Sequence, residues 1–158
     1  MAPHTTLGVG GTARFFIEAQ SETDIKDAIT YARECGLPLL PLGRGSNVLV
    51  PDSGVVAVVL KMSMHDITFE NLGEDVLLVA GAGALWENVI DSVAERCLFG
   101  IENLAGIPGT VGGASVQNIG AYGAEFKDAF EYADVINSAT GLSRRISRAE
   151  AMFGYRTS

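Results

Sequence analysis

Apolar positions recur along this chain in two different periods, and the switches between them mark its elements. Ala13 to Ala19 (ARFFIEA) reads as a strand. From Ser21 the period becomes helical: Ile25, Ala28, Ile29 and Ala32 share one face, and Gly36 stops the run. Ser21 with Asp24 resembles a capping box, with Asp where Glu or Gln is usual. LPLLPLG predicts a short buried strand; NVLV (Asn47 to Val50) and VVAVVL (Val55 to Leu60) predict further strand. This strand–helix–strand order predicts a small α/β lobe over residues 1–61, with a second lobe over 62–158. In the second lobe, VLLVAGAG (Val76 to Gly83) predicts a strand and then a turn. A helix follows with Leu85, Trp86, Val89, Ile90, Val93 and Ala94 on its buried face, reaching to Cys97, with Gly100 beyond its end. AFEYADVIN and GLSRRIS predict a hairpin turned at SATG, and Ser147 with Glu150 a capping box for a short final helix.

Length and charge narrow the function classes. The chain has 158 residues, room for one ordinary domain or two small ones that share a core. No apolar run approaches the ~20 residues of a membrane span. The opening MAPHTTLGVG lacks the basic and apolar regions of a signal peptide, so a cytoplasmic protein without a membrane partner is expected. A net charge of −8 removes a global basic footprint for nucleic acid. Any anionic ligand has to be held locally, by backbone amides, helix N-termini or single arginines. Two cysteines (Cys35, Cys97) and two distant histidines (His4, His65) give no metal-ligating pattern, and no metal is expected.

Four glycine-rich segments could carry chemistry. GVGGTA (Gly8 to Ala13) has dinucleotide-fingerprint spacing, but a polar stretch precedes it and a strand follows, so it reads as a tight turn. GAGALW (Gly81 to Trp86) follows a strand and opens a helix, but lacks the third glycine and a ribose-binding acid. LGRGSN (Leu42 to Asn47) is no Walker loop, lacking Gly-Lys-Ser/Thr. Its small residues allow successive amides to converge on an anion, with Ser46 and Asn47 as further donors; an ordinary Gly/Ser/Asn turn is the alternative. AGIPGTVGGASVQNIGAYG (Ala105 to Gly123) has no charged residue. Gly109, Gly112, Gly113, Gly120 and Gly123 permit close backbone approach, Ile107, Val111, Val116 and Ile119 offer apolar walls, and Gln117 and Asn118 offer amides. That suits a neutral heterocycle joined to a pyrophosphate; a buried packing loop is the alternative.

The strings GGTARF, PLGRGSNVLV, GAGALW, GIENLAGIPGTVGGASVQNIGAYG and FGYRTS, in this order, resemble the family of UDP-N-acetylenolpyruvoylglucosamine reductases over essentially the whole chain. The resemblance implies an α+β, two-lobed FAD-binding domain of the vanillyl-alcohol-oxidase / PCMH type. By resemblance, Leu42, Gly43, Arg44, Gly45, Ser46 and Asn47 wrap the FAD pyrophosphate. Gly106, Ile107, Pro108, Gly109, Gly112, Gly113, Ala114 and Ser115 line the cofactor, and Gln117, Asn118, Ile119, Gly120 and Ala121 extend that wall towards the flavin.

The family reduces an enolpyruvyl nucleotide sugar to UDP-N-acetylmuramate for peptidoglycan precursors, with NADPH as co-substrate. Arg156 matches the family's active-site arginine in Gly-Tyr-Arg-x-Ser, and Tyr122 a position on the substrate side of the flavin. The family pattern has Asn where Thr5 stands, which implies a looser local turn. It also continues past Tyr-Arg-x-Ser with a substrate domain, a serine proton donor and a glutamate partner. On that pattern the second lobe is incomplete and the chain alone binds FAD without turnover. A cofactor-free interaction domain on the same scaffold, and another FAD oxidoreductase of that fold, are the competing readings.

Overall fold

The computed structural model describes all residues from Met1 to Ser158 and divides into two compact units, Met1–Met64 with Val135–Arg144 and His65–Asp134 with Arg145–Ser158. In the first, β1 (Ala13–Ala19), β2 (Leu39–Leu42) and β3 (Val55–Met62) pair in parallel in the order β1-β3-β2. Central β3 carries the unbroken buried run Ala57, Val58, Val59 and Leu60, as a strand covered on both faces should. Helix α1 (Glu22–Glu34) packs Ile25, Ala28 and Ile29 against Ala19 and Leu60. Each fully buried Ile or Leu contributes about 1.5–3 kcal/mol there. Ser21 caps α1 by accepting the Asp24 N–H at 3.2 Å. Asp24 reaches back one residue further than a capping box requires, to the Gln20 N–H at 2.9 Å. Gly36, at φ +63°, closes the helix while the Leu37 N–H bonds the Ala32 carbonyl.

The second unit begins with an antiparallel hairpin, β4 (Ile67–Leu72) and β5 (Asp75–Ala80), and continues through α2 (Trp86–Ala94) and α3 (Val111–Val116). A tight hairpin of β6 (Gly120–Ala121) and β7 (Ala124–Glu125) and one turn of helix, α4 (Phe126–Ala129), follow. The hairpin β8 (Tyr132–Ile136) and β9 (Ser143–Ser147) completes the element order. The core of this unit is Ala84, Trp86, Val89, Leu104, Ala114 and Ile119. Trp86 satisfies its indole N–H on the Leu104 carbonyl at 2.9 Å, and its ring meets a cluster of Phe126, Phe130 and Phe153. No helix is long and apolar enough to cross a membrane, and both cysteines are free and exposed.

Several expected elements differ. Val48–Val50 is irregular, and Val48 and Leu49 are exposed. No strand pairs with it, and Pro51 lacks the N–H that a ladder needs. In β2 only Leu42 is buried, because the strand lies at a sheet edge. Helix α2 stops at Ala94, short of Cys97. Cys97 takes the left-handed φ of +53° normally given to glycine, and the Leu98 N–H closes on the Val93 carbonyl. Ala94 is consequently exposed rather than buried. The Ser147–Glu150 box forms, with the Ser147 N–H on Glu150 at 2.9 Å, but only turns follow it. Met152 at φ +47° cannot continue a helix. The sequence pattern missed β4, whose apolar residues alternate weakly, and missed α3, which holds two glycines.

Candidate functional site

In the first unit, β2 ends on buried Leu42, and the chain turns through Gly43, Arg44, Gly45, Ser46 and Asn47. Gly45 is buried at φ +73°, and a Cβ there would collide with the His4 carbonyl oxygen. Its own carbonyl accepts the Thr6 N–H at 3.0 Å. The N-terminal arm therefore seats directly on the loop. Gly10, Gly11 and Gly54 let the arm lie close against the segment that follows the loop, since side chains there would strike Val50, Asp52 and Thr12. Thr5 is tied into this arm: it is buried, and its hydroxyl donates to the Val9 carbonyl at 2.9 Å. Around the loop, the amides of Gly45 and Ser46 donate to no group of the chain. They leave two adjacent donors beside half-buried Ser46 and exposed Arg44 and Asn47.

In the second unit the charge-free segment folds against the turn that precedes α2. Trp86 N–H bonds the Gly109 carbonyl (3.1 Å), Val111 N–H the Ala84 carbonyl and Gly112 N–H the Ala82 carbonyl (2.9 Å each). Thr110, buried, caps α3 by accepting the Gly113 N–H at 3.4 Å. The glycines divide into two groups. At Gly112 a Cβ would stand 3.0 Å from the Ala82 carbonyl oxygen, a tight contact that favours bare backbone there. At Gly113 the nearest atom is its own cap hydroxyl at 3.6 Å, an ordinary contact, and its φ is not positive. Gly106, at φ +78°, faces open space.

Ala114 and Ile119 are buried in the unit's core, with Ile107 and Val111 packed against it. These residues therefore present mainly main chain to anything outside; among the expected apolar walls only Val116 is exposed. Pro108 is exposed, and Gly109, Ser115 and Gln117 are half-buried. The hairpin β6–β7 turns on Tyr122 and Gly123, both at positive φ, and leaves Tyr122 89% exposed. Ala121 is half-buried beside it.

Asn118 is the polar centre of this region. It is 1% exposed, and its amide nitrogen donates to Gly154 O at 2.8 Å and Glu125 Oε2 at 3.0 Å. Its amide oxygen accepts the Lys127 N–H at 3.0 Å. Glu125 also pairs with the Lys127 ammonium. The Lys127 hydrogen bond, then that of Asn118, hold the Glu125 carboxyl below its usual range, and the Arg156 charge assists. The C-terminal residues Gly154–Thr157 form a tight turn, bridged at 3.0 Å from Gly154 N to Thr157 O. Arg156 at its corner sends Nη2 to the Gly120 carbonyl at 3.0 Å, and Ser158 Oγ donates to the Val116 carbonyl. Thus Asn118, Gly120 and Arg156 are brought together. The Glu125–Lys127 pair went unread in the sequence; its signal was charge appearing immediately after a charge-free stretch.

Comparison with known proteins gives consistent results. The FAD binding domain family model matches residues 13–147. The whole chain is 42% identical to 47% of the UDP-N-acetylenolpyruvoylglucosamine reductase of Pseudomonas aeruginosa. It is 40% identical to 45% of the reductase of that name from Photobacterium profundum. The chain spans about half the length of the curated relatives it matches. The crystal structure of the Thermus caldophilus reductase superposes with a TM-score of 0.81 at 34% identity, covering 99% of this chain and 53% of that one. A 6-hydroxy-D-nicotine oxidase from Arthrobacter nicotinovorans shares the fold at a TM-score of 0.69 and 18% identity, over 89% of this chain and 31% of its own.

Proposed function

We propose that this chain, which belongs to the FAD binding domain family, holds FAD largely through its main chain and serves the reduction of an enolpyruvyl nucleotide sugar. The observation that carries the proposal is the bareness of Gly113. Neither packing nor φ requires glycine there, yet glycine in a helix costs roughly 0.5–1 kcal/mol relative to alanine. A bare position of that kind leaves a surface that a flat ligand can approach closely. In this reading residues 1–61 form the lobe whose Leu42–Asn47 loop takes the pyrophosphate, on the donors of Gly45 and Ser46. Residues 62–158 form the lobe whose Gly106–Ser115 and Gln117–Ala121 main chain lines the cofactor.

Bound FAD supplies a two-electron carrier between NADPH and the substrate double bond. The role of this chain's own residues is electrostatic. Reduction of an enolpyruvyl group builds charge on its carboxylate, and the planar, permanently charged guanidinium of Arg156 suits a bidentate grip on it. Tyr122, exposed at its hairpin tip, borders the same substrate. The setting is cytoplasmic supply of UDP-N-acetylmuramate for cell-wall precursors, with no nucleic-acid or membrane partner.

Flavin content of freshly purified protein tests this. We expect a yellow protein with bound FAD released on denaturation, and a melting temperature that rises with added FAD. Saturation at a hundredfold excess over Kd is worth about 2.7 kcal/mol. A colourless protein whose melt ignores saturating FAD overturns the proposal and favours a cofactor-free interaction domain.

A further inference from the structure

Asn118 belongs to the segment expected to line the cofactor, yet its side chain is fully engaged by the protein itself. Both polar atoms are bonded, through three hydrogen bonds, and almost no surface is left. Its backbone stands at φ +40°, where asparagine is among the few non-glycine residues tolerated. Two of its bonds run to opposite partners. One ties down the carbonyl of Gly154, the residue that opens and closes the turn carrying Arg156. The other holds the carboxylate of Glu125, which Lys127 grips as well. Arg156 sends its Nη2 to the carbonyl of Gly120, and Gly120 pairs directly with Glu125 across β6–β7, so the guanidinium and the carboxylate are neighbours, yet Glu125 is paired with Lys127.

We propose that Asn118 is a positioning residue for Arg156: one amide group locks the Gly154–Thr157 turn onto the glycine-rich segment and keeps Glu125 on Lys127, so that the guanidinium stays unneutralised. A carboxylate released from that amide is drawn to the adjacent guanidinium, and an arginine already paired is a poor receptor for a further anion. This rests on the reading of Arg156 as an anion-binding group. The test uses no FAD and no substrate, so its failure is separable from failure of the cofactor proposal.

The experiment compares the 158-residue chain with Asn118→Gly, Glu125→Gln and the double variant. Glycine adopts the φ of Asn118 without strain, so the substitution removes the side chain and its three bonds without forcing a new backbone conformation. Two readouts are taken: the side-chain Nε–H resonance of Arg156, assigned by its loss in Arg156→Lys, and the rate at which carboxypeptidase releases the last residues. In Asn118→Gly we expect the Arg156 resonance to move to an ion-paired position and release to quicken about tenfold, the scale of one lost hydrogen bond. Adding Glu125→Gln should return the resonance while release stays fast. An unmoved resonance in a folded Asn118→Gly protein, or one that Glu125→Gln does not return, overturns the proposal. Should Asn118→Gly not fold, Asn118→Asp is read by its release rate alone. That fallback adds a carboxylate facing Glu125, so its Arg156 resonance is set aside and only release is scored: it keeps the acceptor for Lys127 N–H and loses both donors, and unchanged release from it overturns the proposal equally.

Discussion

Replacing Gly113 with alanine should have opposite effects on the empty protein and on cofactor binding. The residue sits in the first turn of α3, and a Cβ there comes no closer than 3.6 Å to any atom. Nothing has to move, so the helix gains the roughly 0.5–1 kcal/mol by which alanine exceeds glycine. For a chain of this size that raises the melting temperature by about 1–4 °C. The same methyl projects into the surface proposed to face the flavin. Gly112→Ala is the control: its Cβ would press within 3.0 Å of the Ala82 oxygen and 3.1 Å of the Ala82 Cβ, so the helix gain is offset and the melt should not rise. The assay is paired, with thermal unfolding without FAD and quenching of FAD fluorescence on titration. Gly113→Ala is expected to melt higher and bind FAD at least tenfold more weakly, about 1.4 kcal/mol. A variant that melts higher and binds FAD as well as the parent refutes the assignment of this surface; one that melts lower refutes the packing argument.

Other consequences can be checked on the same protein. Gly45→Ala forces a side chain into the left-handed region and into the His4 carbonyl, so it should cost at least about 1–3 kcal/mol in urea unfolding. Trp86→Phe leaves the buried Leu104 carbonyl without its indole donor and should cost about 1–3 kcal/mol by the same measurement. Glu125, its carboxyl depressed chiefly by the Lys127 hydrogen bond, contributes stability that is present above the usual carboxylate range. That contribution is lost as pH falls through its lowered value, so the urea midpoints of parent and Glu125→Gln should converge in acid and separate towards neutrality.

The first unit could be read from its sequence because its signals are local. The 3.6-residue face of Ile25, Ala28, Ile29 and Ala32 and the unbroken apolar run of β3 need no knowledge of distant partners. Where partners decide, the reading failed. Val48–Val50 has strand composition but no neighbour to pair with, and Arg148–Met152 has a helix cap but a left-handed Met152 to end it. The glycine loops showed that bare backbone was wanted, but not why. Gly11, Gly45 and Gly112 have other backbone against them and Gly10 has the Val50 side chain, whereas Gly113 has neither. Asn118 likewise offered an amide to any ligand on paper. Only the fold reveals that residues 7, 9 and 36 positions away have claimed it.

Four of the five non-glycine residues at positive φ lie in the second unit's functional region or its C-terminal turns: Asn118, Tyr122, Met152 and Arg156. Tyr122 and Arg156 are exposed there and gain no burial in exchange for the strain. Glycine at either position should make the chain hardier. Laboratory evolution for heat tolerance alone would therefore be drawn to these two positions as readily as to exposed Cys97 and Met152, and would yield a sturdier molecule stripped of the side chains its chemistry is proposed to need.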